Sequence, residues 1–138
     1  LRSLNSLCTL RGSAGAVTVD LAQIDLHKGK VELYKWGAAP SYLLSDGVAE
    51  KIGTAGTPPG LSVTQCRETV DKLSLRRGET LILLSDGVDG EEIPHRAGEW
   101  EELPPGELAD AILEQGRGEG ADDATAVVIR LVPASLST

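Results

Sequence analysis

Two short acidic segments are the parts of this chain best suited to chemistry: Ser85-Asp86-Gly87 and Asp122-Asp123-Ala124-Thr125. The first follows Thr80-Leu81-Ile82-Leu83-Leu84, a continuous apolar run that predicts an interior strand covered on both faces. A strand of that kind presents the carboxylate of Asp86 from a rigid support. Gly87 lets the backbone turn away or another group come close. The chain carries its own control in Asp46-Gly47, which lies between Ser41–Ser45 and Val48–Ile52 and predicts a hairpin turn. The dipeptide alone therefore signals a turn, and the buried strand ahead of Asp86 is what sets it apart. In the second segment two adjacent carboxylates repel each other. A solvated loop relieves that repulsion, and so does a hard divalent cation such as Mg²⁺ or Mn²⁺. Asp86 and Asp122 make half of a metal site if the fold brings them together.

Other polar residues carry weaker signals. Asp89, Glu91 and Glu92 extend an acidic mouth or a solvated loop. His27 falls in a turn and His95 follows Pro94; with no partner at ligand spacing, both are read as surface residues. Ser41, Ser45 and Ser85 have no credible His/Asp constellation for nucleophilic chemistry. The glycine-rich loops match neither a P-loop nor a dinucleotide fingerprint. Cys8 and Cys66 lack metal-site or disulfide-framework spacing and read as buried thiols in a reducing compartment.

The elements that must position these residues follow from periodicity. Leu1, Leu4, Leu7 and Cys8 fall at helical spacing before Gly12, as the end of a longer helix would. Val17–Leu26 predicts a strand whose apolar phase slips after Leu21, implying a bulge or burial on both faces. His27-Lys28-Gly29 is a turn into a strand over Val31–Trp36, and Gly37-Ala38-Ala39-Pro40 breaks that strand. Gly53–Gly60 is a loop, Glu68–Leu75 a strand, and Arg76-Arg77-Gly78-Glu79 its turn. Asp86–Pro105 is an acidic connection with room for a short helix. Glu107–Gln115 is a helix, with Leu108, Ala111 and Ile112 on one face and Gly116 as its stop. Ala124–Val132 is a last strand ended by Pro133. Antiparallel-looking strands with few helices predict an α+β fold.

Composition bounds the rest. The 138 residues suffice for one domain, and 41% apolar with 25% charged is ordinary globular usage. With no Phe and no Met, the core must be Leu, Ile, Val and Ala. Thirteen basic against 21 acidic residues give a net charge of −8, which repels a phosphodiester backbone and argues against nucleic-acid binding. No stretch approaches the ~18 apolar residues of a membrane span, so this segment is expected to be soluble and to make no membrane contact.

Five segments in order carry a resemblance to a known family. They are Leu4-Asn5-Ser6-Leu7, Thr18–Leu26, Lys35-Trp36-Gly37-Ala38-Ala39-Pro40-Ser41, Ser85-Asp86-Gly87-Val88 and Asp122-Asp123-Ala124-Thr125. Together they resemble the C-terminal part of a metal-dependent protein serine/threonine phosphatase of the PPM, or protein phosphatase 2C-like, family, and within it the sporulation phosphatases. The resemblance spans nearly the whole chain. It implies an α-β-β-α sandwich of two antiparallel sheets flanked by helices, and a Mn²⁺- or Mg²⁺-dependent hydrolase with a binuclear centre. It implies that Asp86 and Asp122 bind metal, that Asp123 supports them, and that Gly87 leaves room beside the ions. The family's other acidic motif, an Asp-Gly with further glycines, has no counterpart before Leu10, so residues 1–138 are expected to be the C-terminal portion of the domain and to be inactive alone. The resemblance also implies a phosphorylated protein substrate, such as an anti-sigma factor antagonist, attacked directly by water without a phosphoenzyme. The expected location is cytoplasmic, with any membrane tether in sequence outside this chain. Sheet edges that have lost neighbouring strands predict a homo-oligomer. The alternative is a non-catalytic phosphatase-like regulatory or protein-binding domain.

Overall fold

The computed structural model of the chain describes residues 18–53, 69–117 and 123–133. The expected opening helix, Cys8, Cys66, most of the Gly53–Gly60 loop and Asp122 lie outside the described residues. Among the described residues the strands are β1 (Val19–Asp25), β2 (Lys30–Trp36), β3 (Ser41–Ser45), β4 (Val48–Ile52), β5 (Thr69–Ser74), β6 (Thr80–Leu84) and β7 (Ala126–Arg130). The described residues between β6 and β7 form α1 (Glu92–Trp100) and α2 (Pro105–Gly116). Sheet A has the order β1-β2-β5 and sheet B the order β4-β3-β6-β7, with every pairing antiparallel. Among the described residues no helix is long and apolar enough to cross a membrane.

Strand alternation divides the interior into two cores. One face of sheet B sends Leu43, Leu81, Leu83 and Ile129 toward sheet A, where they meet Val31, Ala22, Ile24, Leu73 and Leu75. The other face sends Tyr42, Leu44, Ile82 and Leu84 against Ile93, Ala97 and Trp100 of α1 and Leu108 and Ile112 of α2. β6 is thus covered on both faces, as its unbroken apolar run requires. Leu81 and Ile82 are fully buried on opposite faces, and each contributes about 1.5–3 kcal/mol of burial free energy. The last strand extends the same logic: Arg130 faces the helices, where its guanidinium donates to Thr80 Oγ1 at 2.7 Å and to the carbonyls of Leu103 and Glu101.

β1 departs from the expected pattern. Its register against β2 runs unbroken from Val19↔Trp36 to Asp25↔Lys30, with no bulge. The inward set is Asp20, Ala22 and Ile24, while Leu21 is half exposed. There is no slip of phase: an aspartate occupies an inward position because Lys35, directly opposite on β2, supplies its counter-ion. The acidic connection contains more helix than its composition suggests. α1 starts just before Pro94, where a proline in the first turn breaks no hydrogen bond.

At the β5–β6 turn, Glu79 is buried yet fully engaged. Its carboxylate accepts from Arg76 N–H at 2.6 Å, Arg76 Nε at 2.9 Å and Ser45 Oγ at 3.0 Å. Burial alone would push its pKa up. The Arg76 amide, the Ser45 hydroxyl and the Arg76 guanidinium together outweigh that and hold it below the ordinary value of 4.5. The folded form is the stronger acid, so Glu79 stabilises the fold above pH 4.5 and loses that contribution as pH falls through its lowered pKa. Glu79→Gln is expected to lower stability near neutrality by about 1–3 kcal/mol. Melting curves of parent and variant should converge in acid; a pH-independent gap would contradict this role.

Candidate metal centre

The two acidic segments named from sequence converge on one end of sheet B. β6 ends at Leu84 and β7 starts at Ala126, and the ladder between them continues past both ends. Ser85 N–H donates to Thr125 C=O at 2.9 Å, and Thr125 N–H donates to Ser85 Oγ at 2.9 Å. The same hydroxyl lies 3.5 Å from the carbonyl of Asp123. Ser85, which sequence reasoning set aside as a non-nucleophile, thus ties the two acidic segments together. Its nearest signal in the sequence is its place between an interior strand and Asp-Gly.

Gly87 completes the apposition. A Cβ built there would stand 2.4 Å from the Asp123 carbonyl oxygen and 3.1 Å from its carbon, both backbone atoms. No side chain fits that gap without moving the Asp123 backbone. Asp86 and Asp123 are both exposed beside this contact, so their carboxylates reach solvent from strand ends held by backbone hydrogen bonds. Asp122, the expected second ligand, lies outside the described residues. Among the described residues no group of three or more His, Cys, Asp or Glu side chains is arranged to hold a metal ion.

The loop after Asp86 is pinned rather than loose. Val88 is buried and bridges Arg117, and Asp89 N–H donates to Gly116 C=O at 2.8 Å. Asp89 Oδ1 accepts from Glu91 N–H at 2.9 Å and shapes the turn into α1. Beneath it lies Tyr42 of β3, its ring against Gly90. Burial, and then the charges of Asp89 and Glu91, push its phenol above the usual 10.0. Tyr42 therefore stays protonated under the acidic mouth, a placement that its position in a strand did not reveal.

Asp46-Gly47 sits elsewhere. It forms the β3–β4 turn with φ of 50° and 73°, and Gly47 N–H donates to Glu101 Oε2 at 2.5 Å. Leu44 pairs with Thr80, the first residue of β6. The two Asp-Gly pairs therefore lie at opposite ends of a five-residue strand, roughly 16 Å long. His27 and His95 are exposed, as expected.

The described donors at this end are carboxylates and backbone carbonyls, without histidine or thiolate. Oxygen-only donors suit a hard cation such as Mg²⁺ or Mn²⁺ and not a soft one. The residues present thus fit part of a divalent-cation site.

Comparison with known proteins accords with this geometry. The sequence model of the Stage II sporulation protein E family matches residues 1–132. Stage II sporulation protein E of Priestia megaterium is 30% identical over 145 residues, covering 95% of this chain and 25% of that protein. The solved phosphatase domain of the cell fate determinant SpoIIE from Bacillus subtilis is 27% identical, with a TM-score of 0.67, over 96% of this chain and 64% of that one. The same domain in a crystal presoaked with Mn superposes with a TM-score of 0.63. A serine/threonine phosphatase from S. agalactiae shares the fold with a TM-score of 0.77 at 11% identity, over 95% of this chain and 67% of that one. The chain thus spans a quarter of the length of its curated relative and just under two thirds of the solved domain.

Proposed function

The chain belongs to the Stage II sporulation protein E family, and on that premise we propose that it is the C-terminal portion of a metal-dependent protein serine/threonine phosphatase domain. The observation that carries this reading is the stitching of Ser85–Gly87 to Asp123–Thr125. It sets Ser85–Gly87 beside Asp123–Thr125 at one sheet end, away from the Asp-Gly that merely turns a hairpin, which supports the reading.

In this reading Asp86 and Asp122 hold Mn²⁺ or Mg²⁺, Asp123 supports them, and Gly87 keeps the backbone of the two segments close. When bound, the ions supply Lewis-acid polarisation of a phosphoryl oxygen and lower the pKa of water. The chain's own residues do the positioning. β6 holds Asp86 on a rigid element. Ser85 Oγ fixes the register of the second acidic segment. Asp89 and Glu91 add negative charge that favours a cation at the mouth, and neutral Tyr42 supports their loop. Ser85 Oγ accepts from the Thr125 amide and lies against the Asp123 carbonyl, so this hydroxyl serves to hold the two segments together. The substrate is phosphoserine or phosphothreonine on a partner protein, with an anti-sigma factor antagonist as the family's expectation.

The test is release of inorganic phosphate from a phosphothreonine peptide by the full-length protein with Mn²⁺. Turnover that chelation abolishes is expected; no turnover with Mn²⁺ or Mg²⁺ would favour the non-catalytic phosphatase-like binding domain. Residues 1–138 alone are expected to show little or no turnover, because a binuclear site short of ligands binds metal poorly. Robust turnover by the isolated chain would overturn its reading as a partial domain. Among the described residues β1, β4, β5 and β7 each pair on one side only, so the isolated chain is expected to self-associate. A clean monomer in sedimentation at high concentration would count against that.

A further inference from the structure

The inward face of sheet A carries a charged group that the proposed reaction leaves unused. Lys35 is completely buried, and a lysine in that position is found almost only with a partner. Its Nζ donates to Asp20 Oδ1 at 2.7 Å and to Ser41 Oγ at 2.9 Å. Asp20 is its cross-strand neighbour in sheet A, whereas Ser41, also fully buried, is the first residue of β3 in sheet B. One ammonium therefore joins the two sheets through side chains. The surroundings are built to its shape: a Cβ at Gly53 would stand 2.2 Å from Lys35 Cδ.

The bridge lies near the candidate centre. β3 pairs with β6 as Tyr42↔Ile82 and Leu43↔Leu81. One further step places Ser41 opposite Leu83, three residues before Asp86, roughly 10 Å along the strand. Between Lys35 and Ser41 the chain leaves sheet A through Trp36–Pro40 and enters sheet B at that end. Stability does not explain the charge. Replacing a buried ion pair by apolar side chains of similar volume is often neutral or stabilising by about 1–4 kcal/mol. Val31 and Leu33 fill the other inward positions of β2 with apolar side chains.

We propose that Lys35 is a positioning residue: through Asp20 and Ser41 it sets the offset between the two sheets and holds the Gly37–Pro40 loop and the start of β3 against β6. Its kinetic consequence rests on the phosphatase reading; the ordering of the segment does not. Removing Lys35 alone is a poor test. It would strand the Asp20 carboxylate in the gap, where Asp71 Oδ2 is already buried without a hydrogen-bond partner among the described residues. Replacing all three partners avoids that.

The experiment compares the full-length protein with its Lys35→Met/Asp20→Val/Ser41→Ala variant. The variant is expected to melt within about 3 °C of the parent or above it. Amide exchange over residues 37–44, measured without metal or substrate, should be at least about tenfold faster. Turnover of a phosphothreonine peptide with Mn²⁺ should show kcat reduced about ten- to hundredfold and KM within about twofold. Unchanged exchange over 37–44 overturns the proposal whatever the kinetics. A variant melting far below the parent also overturns it, since the bridge would then be a stability element. A parent without turnover counts against the phosphatase reading, and the exchange result then decides the positioning role alone.

Discussion

Asp86→Asn in the full-length protein is expected to reduce phosphatase turnover at least about a thousandfold, while Asp46→Asn leaves it within about twofold. Both residues precede a glycine and stand exposed in a turn, though only Asp46 has a positive φ, so the contrast sets a strand-supported carboxylate against a hairpin turn. Asp86 closely follows a strand buried on both faces and stands beside the second acidic segment. In the proposed reading its carboxylate is a cation ligand. An amide keeps the shape and removes the charge, which costs several kcal/mol of charge stabilisation, equivalent to about three powers of ten in rate. Asp46 turns a hairpin at the other end of β6 with φ of 50°. Asparagine tolerates that left-handed conformation at least as well, so the hairpin survives. Rates of phosphate release over a Mn²⁺ titration check both variants, and the Asp86 variant should stay inactive at every concentration if the ligand itself is lost. Equal effects at the two sites would remove the distinction on which the assignment stands.

Where local pattern and burial agree, the fold is legible in the residues themselves. The run Thr80–Leu84 could only be an interior strand, Asp46-Gly47 could only turn a hairpin, and Leu108 with Ile112 marked the buried face of α2. Legibility failed where a residue's place depends on a partner distant in sequence. Asp20 stands between Val19 and Leu21, an alternation that puts it on the polar side of β1, and its inward position makes sense only with Lys35 opposite it, fifteen residues away. α1 was half hidden because Pro94, Gly98 and a high density of glutamates dilute its apolar face, leaving Ile93, Ala97 and Trp100 to carry the packing. The candidate site divides in the same way. The residue types at Asp86 and Asp123 were plain, but their nearness depends on the register between Ser85 and Thr125, forty residues apart. No periodicity encodes that register; the β6–β7 ladder does. Asp122, the remaining expected ligand, lies outside the described residues, so its role stands as part of the proposal.

Gly87→Ala is the second large effect expected, and it tests the apposition without touching a charge. The added methyl would stand 2.4 Å from the Asp123 carbonyl oxygen. Because the obstacle is backbone, no rotamer change relieves it; the Asp86–Gly87 turn and the Asp123–Ala124 segment must separate. That strains the two hydrogen bonds between Ser85 and Thr125. Overpacking together with weakened hydrogen bonds should cost about 2–4 kcal/mol of stability. A displacement on the order of 1 Å at a site that must hold ligands in fixed geometry should lower turnover about a hundredfold. Gly98→Ala is the matched control: it lies on the exposed side of α1 with nothing within 4 Å of the added methyl. Alanine should stabilise that helix by about 0.5–1 kcal/mol and leave turnover unchanged. Denaturant unfolding and phosphate release on the two variants separate the outcomes. If Gly87→Ala matched Gly98→Ala in both, the two acidic segments would not need their close contact, and the shared cation site would lose its structural basis.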